Sequence, residues 1–468
     1  MQTVSEKKKI LFLSVIALAV TGLYVSLCFN QNIWTDEAFT IDLLNRQHTF
    51  GEIAAYTATD VHPPLYYFIL KCFVALFGVH FWMVKLLSVV PMALLFVLDI
   101  TYVRKRFGAR TACLFLLLVA AIPCTMEYVV QMQMDAWCMM FVTGFAFAAF
   151  DAFDREKTMS FIGMGVCGVC AAYSHYFAFV AVLWIYGFLF LALAFRRRGK
   201  ALVKWLLMAA GSGIAYTPWM RYFLYQIRGV SNSYWIPEIT LSVIRDYFRW
   251  IFASDYPAVV RLCQILFVLA VAGLIGLLIA DRGKRRRNLA ALFALLIPVL
   301  VVVTGVVLSK LIRPIFIIRY VMPAIPLLCL SAAIVFARLS REACALLAAA
   351  LLCLLALDYQ TTYAVEYRST DTDATLALLH ENMGDNDVIL YNYKIYDFIY
   401  QCYFDDDQLV YMEDMNFAAD YDCIWFLCTV YNPMPNAQVL ADNGWSISYV
   451  GDYGIEQNEF WIYVMNRE

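Results

Sequence analysis

Two adjacent carboxylates, Asp36 and Glu37, stand just past the first long apolar run, within Trp34-Thr35-Asp36-Glu37. A carboxylate partly withdrawn from water has a raised pKa and can take a proton from a hydroxyl near neutral pH. The same pair also fits an ordinary helix start, where anions favour the positive end of the dipole. Asp135 closes a short polar break containing Glu127, Gln131 and Gln133, and could orient or deprotonate a hydroxyl. His62 lies in Asp60-Val61-His62-Pro63-Pro64, which also reads as a turn into a helix with proline at its first position. His175, in Tyr173-Ser174-His175-Tyr176, is open to three readings: metal ligand, phosphate donor or hydrogen-bonded core histidine. Arg319-Tyr320 puts a guanidinium at the start of a late apolar run. It suits bidentate phosphate binding, or simple snorkelling to headgroups.

These residues are far apart in sequence, so the elements around them must bring them together. The chain is 63% hydrophobic and 15% charged, with a mean hydropathy of +0.67. Both values lie outside the soluble globular range. Apolar runs of about 20 residues recur from Ile10 to about Tyr359, which predicts a polytopic α-helical membrane protein. The net charge of −2 hides a split. From Thr361 onward 19 Asp and Glu face Arg368, Lys394 and Arg467, a balance of −16, leaving about +14 for the rest by subtraction. The chain thus divides at about 360 into a membrane part, 1–360, and an acidic water-facing domain, 361–468.

Topology follows from the cations. Lys7-Lys8-Lys9 before Ile10–Phe29 read as a signal anchor with a cytoplasmic N-terminus, which delivers Asp36 to the outer face. Residues 37–57 read as an amphipathic interfacial helix. The run 65–78 is too short for a comfortable span and is expected to be interfacial or re-entrant, so outer-face helices cover about 37–78. Spans are then expected at about 81–103, 111–126 and one ending near Asp154. Two more lie within 159–195, breaking at Tyr173–Tyr176. The rest are about 201–219, a helix ending at Arg282–Arg287, 289–308, one beginning near Arg319, and 343–360. That makes about eleven transmembrane helices. A long outer loop to Pro257 carries Tyr234-Trp235 and several arginines. In the tail, helices are expected over 370–383, 395–403 and 437–443, and strands over 388–391, 409–412, 423–427 and 460–464, a small extracytoplasmic α/β domain.

The topology gathers Asp36, Glu37, Asp60, His62, Asp135, His175 and Arg319 at one membrane level. Ionisable groups at such depth are costly and point to function. Together they fit transfer of a group from a phosphate-bearing lipid: a carboxylate activates a hydroxyl, a cation stabilises the leaving phosphate, and an apolar groove holds the lipid. No glycine pattern is placed to bind a soluble nucleotide. The fourteen cysteines lie mostly in apolar runs as small hydrophobes. Cys167 and Cys170 have no further ligands nearby and read as packing, while Cys402, Cys423 and Cys428 leave a tail disulfide open.

The sequence resembles the GT-C fold membrane glycosyltransferases of the protein mannosyltransferase and aminoarabinose transferase type. The resemblance rests on Asp36-Glu37, the run Asp60-Val61-His62-Pro63-Pro64-Leu65-Tyr66-Tyr67, Gln133-Met134-Asp135-Ala136, Tyr173-Ser174-His175-Tyr176-Phe177, Pro218-Trp219 and Arg319-Tyr320-Val321-Met322-Pro323. It covers about residues 1–345. It implies a polyprenyl- or dolichyl-phosphate sugar donor, a lipid, glycan or protein acceptor, and inversion at the anomeric carbon. It implies Asp36 as catalytic base, with Glu37 beside it and Asp135 as a second acidic residue. Arg319 would contact the donor phosphate, with His62 and Tyr320 grouped alongside. No cofactor is demanded. A divalent metal ion is the one that relatives leave open, with Asp60 and His175 as its candidate ligands. Many bacterial members carry Arg and Tyr where this chain has Gln131–Asp135.

The tail has no motif of its own, and its −16 balance argues against direct binding of a strongly anionic polymer, nucleic acid included. Two rivals remain. A lipid-linked sugar flippase or transporter would place its charges mid-span and show internal repeats. A glycan polymerase or ligase would carry a large outer loop rich in Arg and His, whereas residues 220–257 hold Arg alone.

Overall fold

The structure, a computed structural model, describes residues 4–29, 32–47, 49–232, 236, 238–252, 256–361, 370–431, 434 and 437–467. The chain forms two compact units: Met1–Cys28 with Thr49–Gln360, and Phe29–His48 with Thr361–Glu468. The segment Phe29–His48 differs, because it was expected with the membrane part and packs instead with the tail.

The first unit is helical. It contains α1 (Val4–Cys28), α3 (Phe50–Thr59) and α4 (Leu65–Phe77), while α2 (Thr35–Arg46) belongs to the second unit. Then follow α5 (Phe81–Phe107), α6 (Ala109–Ala121), α7 (Pro123–Val130), α8 (Asp135–Arg155), α9 (Thr158–Ala172) and α10 (Tyr176–Phe195). The unit closes with α11 (Gly199–Asn232), α12 (Leu241–Trp250), α13 (Pro257–Ala280), α14 (Arg285–Leu311), α15 (Ile318–Phe336) and α16 (Arg341–Thr361). Among the described residues eight helices are long and apolar enough to cross a membrane, or nine if α6 and α7, bent by 70°, form one span. The expected eleven is therefore approximate. The remaining two expected spans are α9, about 22 Å long at 1.5 Å per residue against a core of ~30 Å, and the long α11.

Local chemistry explains the differences. One helix was expected over 37–57, but Thr49 and Glu52 form a capping box: the Thr49 hydroxyl accepts the Glu52 N–H at 3.2 Å and the Glu52 carboxylate accepts the Thr49 N–H at 2.8 Å. That starts α3 afresh. The α6–α7 bend falls at extended Ile122 before Pro123, as the residue before proline disfavours helical geometry. Conversely, α11 runs through Pro218, where the expected span stopped at 219. The expected outer loop contains an amphipathic helix, α12; Tyr234-Trp235 lie outside the described residues. One end of the unit is basic and ion-paired, with Arg104 to Glu6 at 2.6 Å, Arg198 to Glu156 at 2.9 Å and Arg338 to Asp281 at 3.3 Å.

The second unit is a five-stranded sheet. In chain order it has α17 (Thr372–Asn382), β1 (Val388–Tyr391), α18 (Asp397–Tyr400), β2 (Leu409–Tyr411), β3 (Cys423–Cys428), α19 (Ala437–Asp442), β4 (Trp445–Ile455) and β5 (Asn458–Arg467). The strand order is β2-β1-β3-β5-β4, with β1 parallel to both β2 and β3 and β5 antiparallel to β3 and β4. Leu390, Ile424, Phe426 and Met465 centre its core. Strand β4 was not expected, because Gly451, Asp452 and Gly454 interrupt its pattern. All fourteen cysteines, each among the described residues, are free thiols.

Helix α2 joins this unit through specific contacts. The Ile33 N–H donates to the carboxylate of Glu456, in the β4–β5 turn, at 2.6 Å, and the Gln457 N–H donates to the Ile33 carbonyl at 3.2 Å. Phe39 meets Phe398 edge to face at 5.4 Å, and Arg46 reaches Asp406 at 3.0 Å. Helical amphipathicity predicts an apolar face, but not the surface that face covers.

Candidate active site

In the first unit four turns converge. The loop Asp60–Pro64 is fixed from two sides. The Leu65 N–H donates to the Tyr173 carbonyl at 3.0 Å, joining it to the α9–α10 turn. The buried Gln226 amide donates to the Thr57 carbonyl at 2.9 Å and to the Asp60 carbonyl. Its oxygen accepts the Tyr176 hydroxyl, which in turn accepts the Trp219 indole N–H at 3.1 Å. This fastening places the His62 ring 5.5 Å from that of His175, which lies 4.9 Å from Tyr320.

His175 is buried and begins α10, its Nδ1 accepting the Phe177 N–H at 3.1 Å. That bond assigns the proton of the neutral ring to Nε2, leaving a single N–H donor. Burial, then the charges of nearby His62 and Arg319, push the His175 imidazole well below its ordinary pKa. Tyr320 stacks on Phe177 at 5.2 Å and 19°. Phe316, fully buried, meets Phe177 edge to face at 5.0 Å, and the Tyr247 hydroxyl of α12 donates to its carbonyl at 2.8 Å. Gly305 on α14 makes room for that ring.

Arg319 extends the cluster. It hydrogen-bonds the Tyr128 hydroxyl, and the Glu127 and Asp135 carboxylates act electrostatically on the same group. Asp135 is buried in the first turn of α8. Cys138, one turn on, lies beside Ser174, and the Ser174 hydroxyl, next to His175, donates to the Cys170 carbonyl at 2.7 Å. Asp60, His62, Asp135, His175, Arg319 and Tyr320 thus belong to one neighbourhood of the first unit.

A cavity of about 320 Å³ opens against this cluster. His62, His175, Tyr320 and Gln226 line its polar part, and Leu183, Leu308 and Ile312 are among the aliphatic side chains of the remainder. One polar end on a mainly apolar chamber matches a molecule with a charged head and a hydrocarbon tail.

Asp36 and Glu37 lie in the second unit, in the first turn of α2. Asp36 is half-buried. Glu37 is fully buried, and its carboxylate accepts the Trp34 N–H at 3.3 Å, a contact that starts the helix. For a metal, Asp60 and His175 fit poorly: Nδ1 of His175 is engaged, and no group of three His, Cys, Asp or Glu side chains among the described residues is arranged to hold one. Sequence reasoning missed Gln226, Tyr128 and Phe316. Gln226 had one legible signal, lying seven residues, about two turns, from Trp219 on the same face.

A family model for dolichyl-phosphate-mannose-protein mannosyltransferases matches residues 61–222, from the His62 loop through the turn at His175. Among solved structures, ArnT from Cupriavidus metallidurans bound to undecaprenyl phosphate superposes with a TM-score of 0.60 over 97% of both chains, at 12% identity. The chain has the GT-C fold. The apo form of the same ArnT, also 12% identical over 98% of both chains, gives a TM-score of 0.48. No curated protein matches. Within the GT-C fold of this chain, the matched region supplies Asp135, His62 and His175, while Arg319 and Tyr320 come from beyond it.

Proposed function

We propose that the chain is an inverting glycosyltransferase that moves a sugar from a polyprenyl-phosphate donor to a hydroxyl acceptor at the outer membrane face. The observation that carries this reading is the cavity whose polar lining is His62, His175, Tyr320 and Gln226, beside Arg319, and whose remainder is mainly apolar, aliphatic side chains with Phe177, Phe179 and Phe223 among them. A polyprenyl phosphate has that polarity. The undecaprenyl phosphate bound by ArnT, a protein of the same fold, supports the choice of lipid.

In this reading the tail lies in the apolar chamber and the phosphate meets Arg319, His62, the Nε2–H of His175 and Tyr320. Asp36 takes the proton of the acceptor hydroxyl. The acceptor oxygen attacks the anomeric carbon from the face opposite the phosphate, forming the new glycosidic bond. The old carbon–oxygen bond breaks, and its electron pair leaves on the polyprenyl phosphate. Charge grows on that phosphate as the bond breaks, so preorganised donors there lower the barrier. Asp135 orients the sugar or acceptor hydroxyls. The N-terminus is cytoplasmic and the tail domain outside, as the basic end of the first unit supports.

The test is binding of polyprenyl phosphate to the protein in nanodiscs. Arg319→Ala and His175→Ala are each expected to weaken it about tenfold or more, since charge-assisted bonds contribute about 1.5–3 kcal/mol. Wild-type protein that binds no polyprenyl phosphate, or variants that bind it equally well, refute the site. Label that crosses a vesicle with its covalent linkage unchanged would identify a transporter instead.

A further inference from the structure

In the second unit the neighbouring parallel strands β1 and β3 send the chain in opposite directions from their C-terminal ends. After β1 it turns through α18 to β2 on one side; after β3 it turns through α19 toward the β4–β5 hairpin on the other. Such a divergence leaves a crevice at the strand ends, where open α/β sheets hold ligands. Buried Asn392 locks the two exits together. Its Oδ1 accepts the Thr429 N–H at 2.9 Å and the Thr429 hydroxyl at 3.0 Å, and its Nδ2 donates to the Thr429 carbonyl at 3.2 Å.

Directly beyond that lock is an aromatic surface. Tyr393 and Tyr431 stack at 4.7 Å and 26°, and Tyr396 meets Tyr393 edge to face at 5.1 Å. Tyr431 is nevertheless 61% exposed. Asp397 follows at once in sequence; it is half-buried, burial raises its carboxyl above the ordinary pKa, and its Oδ1, closed to solvent, has no hydrogen-bond partner among the described residues. This is a fixed surface of phenol rings with a carboxylate at its edge, placed where the fold leaves an opening.

We infer that this surface binds a glycan without negative charge, one pyranose ring lying on Tyr431 and its hydroxyls bonding Asp397 and the phenols. A pyranose offers an apolar C–H face to the electron-rich face of an aromatic ring. Its rim of hydroxyls supplies the donors that a carboxylate needs. Exposed Ile395 and Val430 flank the surface and would also suit a lipid interface. Asp397 and the nearby Asp414 outnumber the one cation beside them, Lys394, and weigh against that, because anionic headgroups meet a net negative charge there and an acyl layer offers the carboxylates no donor. The acidic balance of 361–468 likewise disfavours a polyanionic glycan. The inference rests on the second unit alone and does not require the transfer reading.

The experiment uses the full chain in nanodiscs of zwitterionic lipid, titrated by biolayer interferometry against a panel of neutral oligosaccharides, with an anionic oligosaccharide and bare liposomes as counter-probes. Saturable binding to at least one neutral glycan is expected. Tyr431→Ala and Tyr393→Ala should each weaken it about two- to tenfold, from the loss of one stacking contact. Tyr431→Phe should retain most of it, and His175→Ala, which disables donor binding in the transfer reading, should retain all of it. The inference is overturned if no neutral glycan binds saturably, if Tyr431→Ala binds equally, if the anionic oligosaccharide is preferred, or if Tyr431→Ala reduces liposome binding alone.

Discussion

Gly305→Ala tests how the first unit positions Tyr320. A β-carbon at Gly305 would lie 2.9 Å from Cε2 of Phe316 and nearer still to Cγ and Cδ2. Carbon atoms rest at about 3.5–4.0 Å, so the ring must retreat by roughly 1 Å. It has little room, being fully buried, 5.0 Å from Phe177, and anchored at its carbonyl by Tyr247 at 2.8 Å. Overpacking of this kind costs about 1–3 kcal/mol. If the strain is relieved by moving Phe177 and Tyr320 off their stacked arrangement, it appears as weaker donor binding, about 5- to 150-fold. The assay is polyprenyl phosphate affinity in nanodiscs, alongside thermal stability of the unliganded protein. Gly305→Ala combined with Phe316→Leu, which removes the ring, should recover donor affinity relative to Gly305→Ala alone. Full affinity and stability in Gly305→Ala would refute the positioning argument.

Three further outcomes are expected. Gln226→Leu leaves the Tyr176 hydroxyl and the Thr57 and Asp60 carbonyls without this partner; at about 1–3 kcal/mol for stranded buried groups, hydrogen exchange over 57–65 should rise and donor affinity fall. His175 has a pKa below its ordinary value when folded, so its contribution is complete above the unfolded value of about 6.5 and declines as pH falls from there toward the folded pKa. His175→Gln should flatten that part of the acid dependence of the melting temperature. Glu456→Ala removes the carboxylate that accepts the Ile33 N–H at 2.6 Å and the Tyr403 hydroxyl, and should speed hydrogen exchange over 33–46, the segment bearing Asp36, while leaving exchange in α8 and α10 unchanged.

Much of the helical unit was legible because hydrocarbon thickness imposes a length and cations impose a pattern. The turn residues His62, His175 and Arg319 were legible for a related reason: charged groups between apolar runs mark the ends of helices, and those ends meet. Helix α2 was legible as a helix but not as part of the sheet domain, since the partners that hold it, Phe398, Asp406 and Glu456, lie more than 350 residues away. The α2–α3 break could have been read from Thr49 and Glu52. The passage of α11 through Pro218 could not, because local propensity argues for a stop there and burial of Trp219 and Gln226 overrides it. The Gly305–Phe316 fit is a matter of close packing, which no periodicity encodes.

The central claim is tested most directly by sugar transfer in Asp36→Asn. Wild-type and variant protein in nanodiscs would be given a panel of polyprenyl-phosphate-linked labelled sugars with membrane extract as the acceptor source, and donor binding and covalent transfer would be read separately. The account predicts unchanged donor binding and transfer reduced by about 10²–10⁴-fold, the usual loss on removing a general base. Transfer at the wild-type rate by Asp36→Asn would contradict it.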